Sequence, residues 1–214
     1  MRVGRMVDLS RPIVPGMQVY PGDPEPSFRQ VATVCDDGFC LHEVVLGSQS
    51  GTHVDAPSHI VDGTASIDQV AVDRFAAFAT IIDCRDVPPL GLVQAAQVRG
   101  LPVGHAVIIR VGWDIYDGTE QAWDHPGLSS RAAEELVAAG VPFVGIDAAS
   151  IDRHGEAGLP AHQVLANAGV PIIENLAHLG AVDWPAPLIV VAPLSLVGLD
   201  GAPTRAVALE VLPG

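Results

Sequence analysis

Apolar residues run along the chain in short, mostly continuous segments that are separated by stretches rich in Gly and Pro. Continuous apolar runs of this length, rich in Val and Ile, predict strands that are covered on both faces of a sheet. The predicted strands are EVVLGSQSG (43–51), FATIIDC (78–84), AVIIRVGW (106–113), PFVGID (142–147), VPIIEN (170–175), LIVVAPL (188–194) and RAVALEVL (205–212). With 22 Gly and 18 Pro, the elements should be short and the loops frequent.

Two segments show helical patterns instead. LSSRAAEELVAAG (128–140) has Ser129 or Ser130 as its N-cap and Gly140 as its stop, and AHQVLANAG (161–169) ends in the same way at Gly169. Each predicted helix leads directly into a predicted strand. This succession predicts an α/β domain with a mixed sheet, and the length favours one domain over residues 1–214.

The charge balance restricts the class of partner. The chain has 11 Lys+Arg and 25 Asp+Glu, a formal net charge of −14, which argues against nucleic acid and against an anionic membrane surface. A small-molecule substrate is expected. All the basic residues are Arg, so mechanisms that need a lysine are excluded, whereas 8 His supply metal ligands and proton carriers.

Cysteine spacing and hydropathy predict the cellular compartment of the protein. The three cysteines show no CxxC spacing and are expected to be free thiols of a reducing compartment. The N-terminal residues lack the apolar run of a signal peptide, and no apolar stretch is long enough to span a bilayer. These features predict a cytoplasmic protein.

The segment QSGTHVDAPSH concentrates the residues that can carry chemistry. Gly51 permits a tight bend, and Pro57 stiffens the chain behind it. His53 and Asp55 are two residues apart, so in extended chain both side chains point to the same side. Imidazole and carboxylate arranged in this way favour a site for one divalent metal ion.

GTHVDAPSH resembles the signature of the metal-dependent cyclase/hydrolase family, which includes bacterial kynurenine formamidase and isatin hydrolase. DLSRPIVPGMQVYPGDPEP near the start, then VGIDAASID, PIIENL and GAPTRAVA, follow the order of that family, so the resemblance covers nearly the whole chain. It implies an α/β fold in which a mixed, barrel-like sheet is flanked by helices. It also implies a homo-oligomer, either a dimer or a tetramer.

The resemblance assigns candidate metal ligands residue by residue. His53 and Asp55 match ligands of a first ion, and Asp55, His162 and Glu174 match ligands of a second, with Glu174 reaching both ions. The first His of the family signature is Gln49 in this chain. An amide oxygen can coordinate but is a weaker ligand for zinc, so this change favours either one ion fewer or a harder ion such as Mn²⁺. One or two Zn²⁺ or Mn²⁺ ions per chain are expected.

The implied activity is hydrolysis of the C–N bond of a small amide, formamide or cyclic amide. A divalent metal ion can lower the pKa of a water molecule toward ~7. His59 matches the general acid/base of the family, and Tyr20 matches an aromatic residue that contacts the substrate. Two alternatives stay open: a metal-dependent cyclase or dehydratase of aromatic polyketide metabolism, and a non-catalytic relative that binds metal or ligand.

The remaining polar and aromatic candidates are assigned to packing or to the surface. Trp113, Trp123 and Trp184 are expected in the core or at an interface, and Asp152 is expected to support loops around the site. Asp147 is equally compatible with a functional carboxylate and with a turn residue. His42, His105, His125, His154 and His178 are expected to be packing or surface residues, with His125 near enough in its loop to reach the pocket.

Overall fold

The structure, a computed structural model, describes residues 2–213, which are built mainly from short strands. The strands are β1 (Arg2–Asp8), β2 (Ser27–Ala32), β3 (Leu41–Val45), β4 (His53–Asp55), β5 (Ala76–Asp83), β6 (Leu92–Val93), β7 (Ala106–Arg110), β8 (Gly127–Leu128), β9 (Val144–Ile146), β10 (Ile172–Glu174), β11 (Leu188–Pro193) and β12 (Gly201–Leu212). The α-helices are α1 (Val34–Asp37), α2 (Ser130–Ala138) and α3 (Pro160–Asn167). Short 3₁₀ segments lie at Pro57–His59, Val72–Phe75, Ala95–Val98, Asp114–Tyr116, Glu120–Asp124 and Leu179–Ala181.

Seven strands close into a barrel in the order β12, β11, β5, β7, β9, β10, β4 and back to β12. The pairs among β5, β7, β9 and β10 are parallel, and the other pairs in the ring are antiparallel. The long strand β12 also pairs with β1. The prediction of an α/β fold with a mixed, barrel-like sheet is therefore confirmed.

Apolar residues cover both faces of the central strands. Ile109 of β7 and Ile146 of β9 belong to one buried cluster with Leu136 of α2 and Leu165 of α3. Ile108, the neighbour of Ile109, belongs to a second buried cluster. Because side chains alternate along a strand, burial of both neighbours requires apolar residues at every position, which explains the continuous run in the sequence.

The barrel closes at β4, a three-residue strand between β10 and β12. His53 is the direct cross-strand partner of Glu174 on one side, and Asp55 is the partner of Gly201 on the other. All three residues of β4 are buried. The seam of the barrel thus carries polar side chains in a position where most strands carry apolar ones.

Strands β2 and β3 form a hairpin, with α1 in its connection, that pairs with no other strand of the described residues. Its large hydrophobic side chains are exposed to an unusual degree. The exposed ones are Phe28, Val31, Val34, Phe39, Leu41, Val44 and Val45. An isolated two-stranded hairpin is only marginally stable. These seven exposed residues are called here the apolar arm.

The helix predictions are confirmed with shifted ends, whereas one strand prediction is wrong. Ser129 caps α2 by accepting a hydrogen bond from the backbone of Ala132, and Gly140 and Gly169 adopt positive φ after their helices. The strand predicted over 43–51 ends at Val45, because the chain turns through 46–52 before β4 begins. Five strands were not predicted: β1 and β2 show no apolar alternation, and β4, β6 and β8 are only two or three residues long. The other predicted strands differ by a few residues at their ends.

None of the helices in residues 2–213 has the length and apolar character that crossing a membrane requires.

Replacing Gly201 by Ala should destabilise the barrel at its seam. An added Cβ would lie 2.6 Å from the carbonyl oxygen of Val54 and 2.9 Å from Nε2 of Gln49. Since a strand backbone cannot shift easily, we expect a loss of about 3 kcal/mol in the free energy of unfolding, measured by denaturant titration. Gly47→Ala is the matched control, because its Cβ would meet nothing closer than 3.4 Å. If both variants lose the same free energy of unfolding, the close packing of Gly201 against Val54 and Gln49 is contradicted.

Candidate metal centre

Strand register brings the first three candidate ligands together. His53 and Glu174 face each other across the β4–β10 pair, and Asp55 lies two residues after His53 on the same face of its strand. One ligand atom from each of the three lies within 4.8 Å of the others. All three side chains are buried, with at most 6% of each exposed.

His162 completes the group from the first turns of α3. Its Nε2 lies 3.5 Å from Oδ2 of Asp55 and 3.3 Å from Oε1 of Glu174. On the other side, Nε2 of His53 lies 3.4 Å from Oδ1 of Asp55 and 3.4 Å from Oε2 of Glu174. The two carboxylates are therefore shared between two imidazoles, one at each end.

The outer nitrogen of each imidazole is held by the protein. Nδ1 of His53 donates to the carbonyl oxygen of Gly51 at 2.9 Å, and Nδ1 of His162 donates to Oδ2 of Asp152 at 2.7 Å. Asp152 also accepts the backbone N–H groups of Ala161 and His162, so the start of α3 fixes it in place. Both imidazoles thus direct Nε2 toward the carboxylates, which is the usual arrangement around a metal ion.

The interatomic distances fit a cation held between these groups. Charge-assisted N–H···O bonds measure about 2.7–2.9 Å, which is shorter than every imidazole–carboxylate contact in the group. Two ligands of one tetrahedral ion, with bonds of about 2.1 Å, lie about 3.4 Å apart. In addition, both carboxylate oxygens of Asp55 are buried with no hydrogen-bond partner among the described residues. A divalent cation would give these oxygens a partner, so the residues fit such a group.

The electrostatics of the group favour positive charge. Burial opposes protonation of His53, but its contacts with Asp55 and Glu174 outweigh burial and raise its pKa to about 10. Burial also disfavours the ionised form of Asp55, yet its contacts with His162 and His53 lower the pKa of that carboxyl below its usual range. The two carboxylates therefore bind either protons on the imidazoles or a metal ion in their place.

His59 and Gln49 form a second group beside the first, organised by Asp200. One oxygen of this carboxylate, Oδ2, accepts Nε2–H of Gln49 and Nδ1–H of His59, each at 2.9 Å. The amide nitrogen of Gln49 is thereby fixed, and its Oε1 is buried with no partner among the described residues. The ring of His59 lies 6.2 Å from that of His162, measured between centroids. Its Nε2 forms no hydrogen bond with the residues that the structure describes.

These side chains open into a cavity of about 280 Å³. Its walls include Arg11, Gln18, Val19, Tyr20, Asp23, Gln49, Gly51, His53, His59, Trp113, Asp117, Ala122, Trp123, Ala149, Ser150, Leu159, His162, Glu174 and Asn175. Every candidate site residue of the sequence analysis lines it except Asp55, which lies behind the others. The volume is sufficient for a substrate with one aromatic ring.

An aromatic wall that includes Tyr20 and Trp123 lines part of the cavity. The ring of Tyr20 lies 5.5 Å from that of Trp123 and 5.6 Å from that of His154, in edge-to-face contacts. The expectation that Trp123 lies only in the core or at an interface is wrong, because it lines the cavity. Trp113 is buried in the core and also reaches the cavity, whereas Trp184 lies in the core as expected.

Several residues beside the site were missed or left open by sequence reasoning. Asp200 and Arg11 were not singled out, since an isolated charged residue in a loop carries no pattern. Asp147 is a buried structural anchor that accepts the backbone N–H groups of Val111 and Gly112. His125 is fully buried, and burial lowers its pKa. It does not line the cavity, although its loop neighbour Trp123 does.

Comparison with known proteins identifies the family to which the chain belongs. The sequence profile of a family described as "Putative cyclase" matches residues 7–153. The chain is 31% identical over 214 residues to a kynurenine formamidase of Bordetella pertussis, covering 97% of this chain and 99% of the relative.

Solved structures agree in both sequence and fold. An isatin hydrolase bound to the product analogue thioisatinate superposes with a TM-score of 0.85 at 27% identity, covering 96% of this chain and 92% of the other. A structure described as a potential metal-dependent hydrolase with cyclase activity gives a TM-score of 0.82 at 28% identity, covering 98% and 99%. The chain therefore belongs to the putative cyclase family, whose relatives include kynurenine formamidase and isatin hydrolase.

Proposed function

We propose that this protein is a metal-dependent hydrolase that cleaves the C–N bond of a small aryl formamide or cyclic amide. The observation that carries the proposal is the buried group of His53, Asp55, His162 and Glu174, in which two imidazoles share two carboxylates. The relatives named kynurenine formamidase and isatin hydrolase supply the reaction class, since both names describe hydrolysis of a C–N bond outside a peptide.

The chain offers two sets of ligands for one or two Zn²⁺ or Mn²⁺ ions. We assign Oε1 of Gln49, His53, Asp55 and Glu174 to one set, and Asp55, His162 and Glu174 to the other, so that both carboxylates belong to both sets. When bound, a divalent ion lowers the pKa of a water molecule and polarises a carbonyl oxygen. The amide oxygen of Gln49 is a harder and more weakly binding donor than imidazole, which favours Mn²⁺ over Zn²⁺ in the first set.

His59 is the proposed proton carrier. Its Nδ1–H is held by Asp200, so Nε2 accepts a proton on the side of the cavity and can return it to the leaving nitrogen. The carboxylate of Asp200 stabilises the imidazolium that forms during this exchange. Asp200 is thus a positioning residue, and the aromatic wall with Tyr20 provides the surface on which an aryl ring of the substrate can pack.

A metal-dependent cyclase remains the second candidate, favoured by the description of the family and of one solved relative. The same metal ligands and the same proton carrier would serve enolisation and ring closure. Direct assay separates the two, because hydrolysis of the C–N bond consumes water and forms both an amine and a carboxylic acid, which lie on one product molecule when the amide is cyclic. A non-catalytic metal-binding protein would use the same four ligand side chains, and turnover of a probe distinguishes the enzyme from it.

Turnover of two probes tests the hydrolase proposal. Formanilide and isatin represent an aryl formamide and a cyclic amide, and we expect metal-loaded protein to hydrolyse at least one of them. His59→Asn should lower kcat by about 100-fold or more, because proton transfer in the transition state is lost. His105→Asn is the matched control, since His105 lies outside the cavity. The proposal would be overturned if kcat fell equally in both variants. It would also be overturned if the wild-type protein hydrolysed neither probe.

We also propose that the protein is a homodimer or larger homo-oligomer that functions in the cytoplasm. All three cysteines are free, with Cys84 buried, which is consistent with a reducing compartment. The apolar arm supports self-association, because burying it against a second copy would cover side chains that one chain leaves exposed.

Removing apolar contacts from the arm should dissociate the oligomer. Phe28 and Val44 are cross-strand partners, and both are exposed. We expect the double variant Phe28→Ser, Val44→Ser to give the mass of one chain by light scattering after size exclusion, whereas the wild-type protein gives two or more. Val103→Ser is the control, since Val103 is 88% exposed outside the arm. A monomeric wild-type protein, or an unchanged mass in the double variant, would rule out the arm as the interface.

A further inference from the structure

Three rings from three separate segments of the chain pack together at one wall of the active-site cavity. The centroid of the His154 ring lies 5.6 Å from that of Tyr20 and 5.3 Å from that of Trp123, and the rings of Tyr20 and Trp123 lie 5.5 Å apart. Tyr20 and Trp123 line the cavity, whereas His154 does not. His154 thus lies outside the cavity but packs against two rings that a bound substrate would touch.

The backbone around Tyr20 does little to fix the position of its ring. Among the described residues, the segment 12–26 forms two backbone–backbone hydrogen bonds, and both lie within the segment. Five of its residues are Pro, which has no backbone N–H to donate. Gln18 ties the segment to the backbone of Gly118 and Thr119 at 3.0 Å each, but Tyr20 is two residues further along and 40% exposed. The contacts with neighbouring rings are therefore a main restraint on the Tyr20 side chain.

His154 provides these two rings with a packing surface. Nδ1 of its imidazole is buried and forms no hydrogen bond with any residue that the structure describes. A buried polar atom without a partner is destabilising, so hydrogen bonding through Nδ1 does not explain a His at this position. Its ring plane is tilted by 62° from that of Tyr20 and by 39° from that of Trp123. Aromatic rings whose centroids are about 4.5–7 Å apart in such arrangements attract one another.

His154 also borders a second cavity. This cavity, of about 290 Å³, is lined by His154 together with Leu90, Arg153, Gly155, Glu156 and Ala157. Removing the imidazole would add its volume to the space beside the aromatic wall and would let Tyr20 or Trp123 turn into it. The ring of His154 therefore limits how far the wall can move away from a bound substrate.

We propose that His154 is a positioning residue that sets substrate size: by holding Tyr20 and Trp123 in place, it restricts the cavity to substrates with one aromatic ring. This inference rests on the proposed hydrolase function and adds to it a limit on the aryl group. The space that an apolar wall leaves decides which ligands fit, and even one methylene group changes selectivity about 10- to 200-fold. Because His154 acts on the aryl group and not on the proton carrier His59, it should affect KM more than kcat.

Binding of two matched ketones tests the inference without turnover. Acetophenone and 2-acetonaphthone differ by one fused ring and contain no C–N bond, and calorimetry with metal-loaded protein gives the ratio of their dissociation constants. We expect the wild-type protein to prefer acetophenone, and His154→Ala to shift the ratio at least about 10-fold toward 2-acetonaphthone. His154→Phe should keep the wild-type ratio, because the ring is retained. His105→Ala is the matched control, since the ring of His105 lies 6.3 Å from that of Phe78, outside the cavity.

Three results of the binding experiment would overturn the inference. The first is a wild-type protein that prefers 2-acetonaphthone, and the second is an unchanged ratio in His154→Ala. The third is a shift in His154→Phe as large as that in His154→Ala, because the packing of a ring would then not be the cause. Melting temperatures of all variants show whether each one folds, and His154→Leu carries the test if His154→Ala does not fold.

Hydrolysis of formanilide and N-(2-naphthyl)formamide separates this inference from the proposed function. His154→Ala should shift the ratio of the two kcat/KM values toward the naphthyl compound by about the same factor as in binding, mainly through KM. If the wild-type protein hydrolyses these formamides and the ratio is unchanged in His154→Ala, the inference is overturned while hydrolysis stands. If the binding ratio depends on His154 but neither formamide nor isatin is hydrolysed, the size limit holds and the hydrolase proposal fails.

Discussion

Two carboxylates, Asp55 and Glu174, are buried side by side at the seam of the barrel, and the rest of the site depends on how their charge is balanced. Removing a carboxylate from water is highly unfavourable unless it is paired. Here the pairing comes from two imidazoles whose outer nitrogens are already held by Gly51 and Asp152. Because neither oxygen of Asp55 accepts a hydrogen bond from any residue that the structure describes, the balance is completed by protons or by a metal ion.

The closure of the barrel positions these groups. The cross-strand pairing of His53 with Glu174 places one imidazole against one carboxylate without any loop having to order. The start of α3 brings His162 to the opposite end. A site built on a sheet seam and a helix end is held more rigidly than one built on loops, and such rigidity favours selective metal binding and directed proton transfer.

Much of the fold and the first two metal ligands could be predicted from local patterns, whereas the other site residues were assigned only through the family resemblance. The continuous apolar segments indicated strands covered on both faces, and the spacing of His53 and Asp55 indicated ligands on one side of an extended chain. The pairing of β4 with both β10 and β12 could not be predicted, since register between distant strands leaves no local pattern. The same reason hides Asp200 and Arg11, which only the fold brings to His59 and to the cavity wall. Trp123 was misassigned because an aromatic residue in a loop has the same local pattern in a core and in a cavity wall.

The replacement of the family His by Gln49 has a structural consequence that extends beyond metal choice. Asp200 binds the amide nitrogen of Gln49 and the imidazole of His59 through one oxygen, so the ligand position and the proton carrier share a partner. A change at Gln49 is therefore expected to alter proton transfer as well as coordination. Metal coordination by Gln49 and proton transfer by His59 are thus coupled through one carboxylate, that of Asp200.

Metal content per chain tests the central claim most directly. Protein purified without chelator or affinity metal would be measured by elemental mass spectrometry beside Asp55→Ala, which removes a carboxylate shared by both ligand sets. The account predicts one or two tightly held divalent ions in the wild-type protein and none in the variant. A wild-type protein that holds no ion even after incubation with Zn²⁺ or Mn²⁺, or a variant that holds as many as the wild type, would contradict it.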